Sequence, residues 1–499
     1  MATGGIFTLI SNDGKQDRML MASDLLKTRL ERIESARKDV GLDPTPTLVD
    51  IEKSHILFMN AHFKPFAAIG YEYNKVLPSS GTVNLGSSVQ FSIPQFGDFF
   101  NDMALHITLS DPTPTGGSNP TYRWCQYPGE RICERVTFTV NGNPLDEFYS
   151  ANYNFFRQFE LDEMKVPGYN RCMGQENPNH AEFYQANTTP TNSRICGLHK
   201  NGFQTPKSSA HGALEMFIPL IFWFNKDPRL SIPSVAIPFG QRFITFQLAE
   251  SSRLVGLEAR GNTSGGTLGT VNVTTCELYI NNIFVNPEIH DIYIKRIGFN
   301  LIRVHRRQII RTSVPNAELL FGNFKWPIES FYIGFRPVDN NLITNTNYSG
   351  AGNGVNHYDH WHFFSRVTRN DVTGNPLNAY VDIQSATIST MGVKIHGIDV
   401  YLAFPGTFYG SYIPFTYGDD IRTPTDIGAY MVTFNLYPGN YQPSGHINVS
   451  RAREFYVNYT SDTLTTPISA TNPVDIIGCA NALNFLLVSD GSCVLRYST

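Results

Sequence analysis

Apolar residues recur at every second position along most of the chain, the period of a strand that buries one face. Val89, Phe91 and Ile93 alternate with polar neighbours, and so do Leu105, Ile107 and Leu109. Val136, Phe138 and Val140 alternate with Arg135, Thr137 and Thr139 and then meet Asn141–Gly142. That dipeptide tolerates the left-handed backbone of a two-residue hairpin turn. Met216–Phe224, MFIPLIFWF, is nearly all apolar and reads as one strand buried on both faces. Further strands are predicted at Arg242–Leu248 and Leu278–Val285, then at Ile292–Val304, Phe331–Phe335, Val393–Leu402, Tyr430–Leu436, Phe455–Tyr459, Asn484–Val488 and Val494–Tyr497. The stretch Gln442–Tyr456, QPSGHINVSRAREFY, shows the pattern at its most compact. A Pro-Ser-Gly turn leads into His446, Asn448 and Ser450 alternating with Ile447 and Val449; Arg451, Arg453 and Glu454 then fall beside Phe455–Tyr456.

The first 50 residues depart from this period. Ser23 can cap a helix from about Asp24 to Lys38, with Leu26, Leu30 and Ile33 sharing one face and charged residues on the others. Gly41 is the expected stop, and DPTPT follows as a stiff linker. Such a helix fits either the surface of its own domain or an arm reaching toward another protein. Long polar segments, 150–212 and 336–392, interrupt the two halves at similar stages, and a break is expected near Asn286-Pro287-Glu288. The reading is an all-β chain: an arm with a short helix over 1–50, one β domain over 51–288 and a second over 289–499. Many short strands between Pro/Gly turns mean sandwich or barrel.

Length and composition agree. A chain of 499 residues exceeds one ordinary core and suits two large β domains plus an extension. Charged residues are only 16%, aromatics are 13%, and there are 40 Gly and 30 Pro, a balance that favours a compact, turn-rich β protein. With a net charge of −4 and a pI near 6.4, the chain lacks the basic footprint of a nucleic-acid partner. Its densest basic patch, RVHRRQIIR at Arg303–Arg311, reads as a strand with solvated charges. Seven scattered cysteines without C-x-x-C pairs argue against a disulfide framework or a zinc site and fit reduced thiols in a cytosolic environment. The opening MATGGIFTLISNDGK lacks the basic start and apolar stretch of a signal peptide, and the N-x-S/T sequons read as chance matches.

Candidate chemistry is sparse. His357, His360 and His362 of HYDHWH, with Asp359, combine ligand types suited to zinc, copper or iron. No Glu follows at a cupin-like spacing, and the segment sits in a long polar loop, so histidines packed on Tyr358 and Trp361 are the expected state. Asp98, Asp146 and Glu147 lie at turns and could supply a carboxylate pair for glycoside hydrolysis, which needs two such groups about 5–10 Å apart in a cleft. There is no G-x-S-x-G, H-E-x-x-H or Walker motif. No catalytic residue, cofactor or metal is assigned.

Specific blocks of sequence point further. GGIFTLISNDGKQDRMLMASDLL (Gly4–Leu26), NAHFKPFAAIGYEYNKV (Asn60–Val76), IPQFGDFFNDM (Ile93–Met103) and YPGERICERVTFTVNGNPLDE (Tyr127–Glu147) come in that order. FWFNKDPRLSIPSVAIPFGQRFIT (Phe222–Thr245), ELYINNIFVNPEIHDIYIKRIGFNLIRVH (Glu277–His305) and KWPIESFYIG (Lys325–Gly334) continue it. SYIPFTYG (Ser411–Gly418), QPSGHINVSRAREFY and LRYST (Leu495–Thr499) complete it. With these blocks the chain resembles the major capsid proteins of African swine fever virus and its relatives among the large DNA viruses. The match is poor between Met103 and Tyr127, between Phe148 and Phe222, and between Gly334 and Ser411. In that family such insertions form an exposed tower, so attachment properties are not carried over.

The resemblance implies two consecutive eight-stranded jelly-roll sandwiches, a double jelly roll, and a homotrimer of pseudo-hexagonal outline that tiles an icosahedral shell. It implies contacts with neighbouring trimers, with minor and penton capsid proteins, and with inner membrane-associated proteins beneath the shell, but none with nucleic acid. The Leu26, Leu30 and Ile33 face becomes an expected contact of a base arm with inner proteins. Arg451, Arg453 and Glu454 become expected ion pairs or hydrogen bonds within or between subunits. The implied place is the virion capsid, assembled in a cytoplasmic virus factory. The rival readings are a minor capsid protein and a glycan-binding or glycan-hydrolysing β-sandwich.

Overall fold

The computed structural model describes residues 31–41, 69–79, 81–113, 115–116, 122–175, 184–185, 193–194, 212–237, 241–257, 267–285, 298–341, 344–345, 355–356, 360–371, 380–417, 420–450, 454–462, 468–489 and 492–497. In the first half the principal strands are β1 (Ile69–Val76), β2 (Ser88–Ser92), β3 (Phe99–Leu109), β4 (Cys133–Val140), β5 (Asn143–Tyr149), β6 (Leu214–Pro219), β7 (Ile232–Pro233), β8 (Arg242–Leu248) and β9 (Val273–Val285). One sheet has the order β1-β9-β3, with β6 and β7 both on the far side of β3, and the other the order β2-β8-β4-β5. The second half adds β10 (Gly298–Thr312), β11 (Asn316–Leu320), β12 (Pro327–Pro337), β13 (Ile388–Ile395), β14 (Ile398–Pro405), β15 (Ala429–Thr433), β16 (Ile447–Asn448), β17 (Phe455–Ser461), β18 (Val474–Ser489) and β19 (Ser492–Leu495). Its sheets run β10-β18-β12-β15 and β11-β17-β13-β14. In each half the first strand therefore pairs with the last long one, and the second strand pairs with the strand before that. This is the jelly-roll order, present twice. Among the described residues no ladder joins the two sets of strands.

The period-two pattern explains the packing. Val89, Phe91, Leu105, Ile107, Val136 and Phe138 all point inward and are buried. Among them, Phe91 meets Phe246 edge-on at 5.6 Å. Such contacts add about 0.5–1.5 kcal/mol beyond area burial. The second core is built on Phe321, Phe324, Phe331 and Phe455, whose rings lie 5.1–6.3 Å apart. The Asn141–Gly142 turn is as expected: φ is 51° and 80°, and Val140 pairs with Asn143.

Several predicted elements change. Met216–Phe224 is not one strand: β6 ends at Pro219, and Trp223–Lys226 is a helical turn. Pro219 has no N–H for a ladder, and Asn225 closes the turn by accepting from Phe222 N at 3.1 Å. Phe222 and Phe224 then fold inward onto Phe148 and Phe100, at 4.8 and 5.6 Å. Val393–Leu402 is not one strand either but the turn of a hairpin, with His396 and Gly397 at φ 57° and 76° between β13 and β14. Asn484–Val488 is the interior of the much longer β18. Gly478 within it lies under the Phe321 ring, where a Cβ would meet a ring carbon at 2.6 Å. Of the strand read at Ile292–Val304, residues 292–297 lie outside the described ones; β10 covers the rest and runs on to Thr312.

The start of the segment read as a long loop over 150–212 is helical. Helix α1 (Ser150–Phe155) continues as a wider turn, Phe156–Glu160, and α2 spans Val166–Cys172. In the N-terminal region, residues 31–39 are helical and Gly41, at φ 73°, stops the helix by donating to Lys38 O at 3.0 Å.

Candidate assembly surfaces

The two sandwiches meet through α1 and the turn after it. Phe155 stacks on Phe364 at 4.5 Å, and Phe159 stacks on Tyr332 at 4.7 Å. Gln158 Oε1 accepts from Thr425 N and Oγ1 at 2.9 and 3.1 Å. Arg422 N donates to Phe159 O at 2.7 Å. These residues sat in a stretch read as polar loop. The helical spacing of Phe155, Phe156 and Phe159 was the signal available, but a single turn is too short for periodicity to stand out.

The basic run of β10 completes the junction and corrects the expectation of solvated charges. Alternation sends Ile302 and Val304 into the second core and turns Arg303, His305 and Arg307 the other way. Arg303 Nε reaches the buried Glu329 at 2.5 Å. His305 N and Nδ1 lie 2.9 Å from the two oxygens of Asp146. The Arg307 guanidinium lies 4.0 Å from the centroid of the Tyr149 ring. Only Arg311 keeps a largely exposed side chain, and it pairs with Asp475 at 2.7 Å.

Beneath α1 lies a buried charged cluster. Glu130 accepts from Arg157 Nε and from Tyr169 OH, each at 2.9 Å. The Asn154 amide, oriented to suit both neighbours, donates to Glu130 Oε2 at 2.5 Å and accepts from Arg336 Nη2 at 2.7 Å. Burial pushes the Glu130 carboxyl above its usual range, while the Arg157 guanidinium beside it opposes that rise. A buried pair of this kind adds little net stability, yet removing one partner costs about 3–5 kcal/mol.

The carboxylates considered for glycoside hydrolysis all have framework partners. Asp98 Oδ2 accepts from Val285 N at 2.7 Å, Asp146 holds His305, and Glu147 pairs with Arg135 at 2.5 Å. Each carboxylate therefore serves the framework. Of the HYDHWH segment, His357, Tyr358 and Asp359 lie outside the described residues. His360 and His362 are buried, and His362 packs on Phe363 and Tyr127 at 4.2 and 5.3 Å. No group of three potential metal ligands occurs among the described residues. Burial, with the charges of Arg157, His360, Arg336 and Arg131, holds His362 well below the usual histidine range.

The surface that stands out chemically is the β13–β14 hairpin and the turns after it. β14 is an edge strand, and from Ile398 to Gly418 the only charged residue is Asp399. Ile398 and Leu402 are 68% and 62% exposed, and Phe415, in the helical turn Ile413–Thr416, is 82% exposed. Exposed apolar side chains on a charge-poor edge strand mark a protein interaction site or an aggregation hazard.

Of the site residues read from sequence, Leu26, Leu30, Arg451 and Arg453 lie outside the described residues. Ile33 is half-buried on the 31–39 helix. Glu454 is exposed, and its backbone carbonyl accepts from His396 N at 3.1 Å, which ties the hairpin turn to β17. Elsewhere in QPSGHINVSRAREFY, Val449 is buried, and Ser450 Oγ accepts from Trp326 N at 2.5 Å.

Comparison with known proteins matches both halves. A family model described as the large eukaryotic DNA virus major capsid protein covers residues 284–494, and one described as the major capsid protein N-terminus covers 67–286. The chain is 36% identical to hexon protein p72 of African swine fever virus over 651 residues, with 100% of each chain covered. The structure of the Faustovirus major capsid protein is similar at 35% identity and TM-score 0.75, covering 96% of this chain and 100% of that one. A chain of the PBCV-1 virus capsid shares the fold at 18% identity and TM-score 0.62, covering 88% and 98%.

Proposed function

The chain belongs to the major capsid protein family of the large eukaryotic DNA viruses, and on that premise we propose that its working form is a homotrimer of pseudo-hexagonal outline that tiles an icosahedral shell. It is a structural protein of the virion capsid, and its relatives are structural proteins as well. The repeated strand order carries the trimer reading. Three chains, each with two alike sandwiches, place six similar units around one axis, so a threefold particle presents a nearly sixfold edge to its neighbours.

Obligate subunit interfaces commonly bury more than about 2,000 Å² and are rich in apolar and aromatic groups. The charge-poor hairpin surface around Ile398, Leu402 and Phe415 has that composition. We assign it to contacts between subunits of the trimer. Contacts between trimers are weaker, so misplaced capsomers detach and errors anneal, while repetition around the rim restores strength through avidity. The finer partners are the minor and penton capsid proteins at the shell's joints and inner membrane-associated proteins facing the arm that carries Leu26, Leu30 and Ile33. Synthesis and assembly take place in the cytoplasmic virus factory. The units of this reading are the arm 1–50 and the jelly rolls 51–288 and 289–499.

Light scattering or native mass measurement of the purified chain tests the trimer directly. The expected mass is three chains; a stable monomer at micromolar concentration would contradict it.

A further inference from the structure

Two of the cavities between the sandwiches differ in charge balance. In the larger, of about 1020 Å³, three basic groups have carboxylate partners, while Lys165 and Arg422 have no salt-bridge partner among the described residues. Lys226 pairs with Glu160, Arg229 with Asp227 and Arg303 with Glu329. The smaller, of about 290 Å³, is walled by Arg131, Arg253, Arg307, Arg311 and Arg336 against only two carboxylates, Glu134 and Asp475. Both carboxylates are engaged. Arg253 binds Glu134, and Arg311 grips Asp475 with two nitrogens at 2.7 and 3.0 Å.

Arg307 and Arg336 have no salt-bridge partner among the described residues. Arg336 is 6% exposed; its Nη2 is satisfied by Asn154, but its Nε is buried with no hydrogen-bond partner among the described residues. Arg307 Nε is buried and unpartnered in the same way. The guanidinium carbons of Arg131 and Arg336 both lie 5.3 Å from the Trp361 ring centroid on the same wall. Burial and the neighbouring Arg131 lower Arg336 to about 9. Asp475, Asp426 and Glu130 act on Arg336 only from a distance; a desolvated guanidinium without direct carboxylate contact is costly, and crowding adds repulsion. An anion in the cavity removes both costs.

We propose that this cavity binds a phosphate-type oxyanion, held by Arg307 and Arg336 from the second sandwich with Arg131 beside them from the first. The guanidinium fork matches phosphate oxygens two at a time. The volume lies at the small end of ligand sites, which favours orthophosphate or diphosphate over a larger organic phosphate. Bound there, the anion cross-links the sandwiches on the side of the junction where direct ion pairs run out.

The test titrates the purified, assembled protein with sodium phosphate and sodium diphosphate, with sodium chloride holding ionic strength constant. Thermal midpoint and tryptophan fluorescence are the readouts. The midpoint should rise saturably with one of the two oxyanions, because a ligand that binds only the folded state stabilises it by mass action. Arg307→Gln should weaken that binding about tenfold or more, the worth of one charge-assisted contact. Arg336→Met should abolish the response. Trp361→Phe should silence any fluorescence change and leave the midpoint shift. No rise above the chloride control, or an equal rise in wild type and both arginine variants, would overturn the site.

Discussion

His362 shows how far burial alone can set chemistry. Its ring is fully buried, and neither nitrogen has a hydrogen-bond partner among the described residues. Because its folded-state pKa is depressed, its contribution to stability is present above the unfolded value, about 6.5, and is lost as pH falls below that. Glu130 and Asp426, both raised by burial, act in the opposite sense and favour the folded state on acidification. A variant comparison isolates the histidine. Denaturant unfolding at pH 8 and pH 5 should show His362→Leu gaining on wild type as pH falls, by at most about 2 kcal/mol. An unchanged difference between the two pH values would mean that His362 titrates freely when folded. The sequence could not reveal this, since HYDHWH reads as polar and only the approach of Tyr127 and three arginines makes its surroundings dry and positive.

Among the elements, the β13–β14 hairpin had the weakest signal in the sequence and has the clearest exposed surface. The apolar Val393, Ile395, Ile398, Val400 and Leu402, spaced as along one strand, mask the two-residue turn at His396–Gly397 where the chain folds back. The fold then leaves β14 on a sheet edge with Ile398 and Leu402 uncovered. Leu402→Glu puts a charge on that edge without touching a core. Monomer stability should change by no more than about 0.5 kcal/mol, as for ordinary surface substitutions. The trimer should be lost in native mass measurement while the circular dichroism signal of β structure is kept. Persistence of the trimer would exclude this hairpin from the subunit interface. Strands such as β2 and β4 were legible for the opposite reason: one face meets a core and the other meets water, so alternation is strict.

In the whole chain, the proposed base arm can be tested apart from the body. The charged helix over 31–39 stands before the first strand at Ile69, and the trimer reading needs none of its residues. Deleting residues 1–41 should leave trimers intact and impair closed-shell formation, as electron microscopy would show; normal shells from that variant would sink the assignment to inner contacts. Local pattern was enough to establish an all-β chain with a helical start and a turn at Asn141–Gly142, because these depend on backbone preference and on which neighbour in sequence is apolar. The shared sequence blocks added the family, its two jelly rolls and its structural role. Pairing across long sequence distances was beyond either source. The opposition of Asp146 to His305, the stacking of Phe159 on Tyr332 and the gathering of five arginines around one cavity join residues far apart in the chain. Such contacts depend on how two sandwiches dock, and a one-dimensional pattern holds no record of which faces meet.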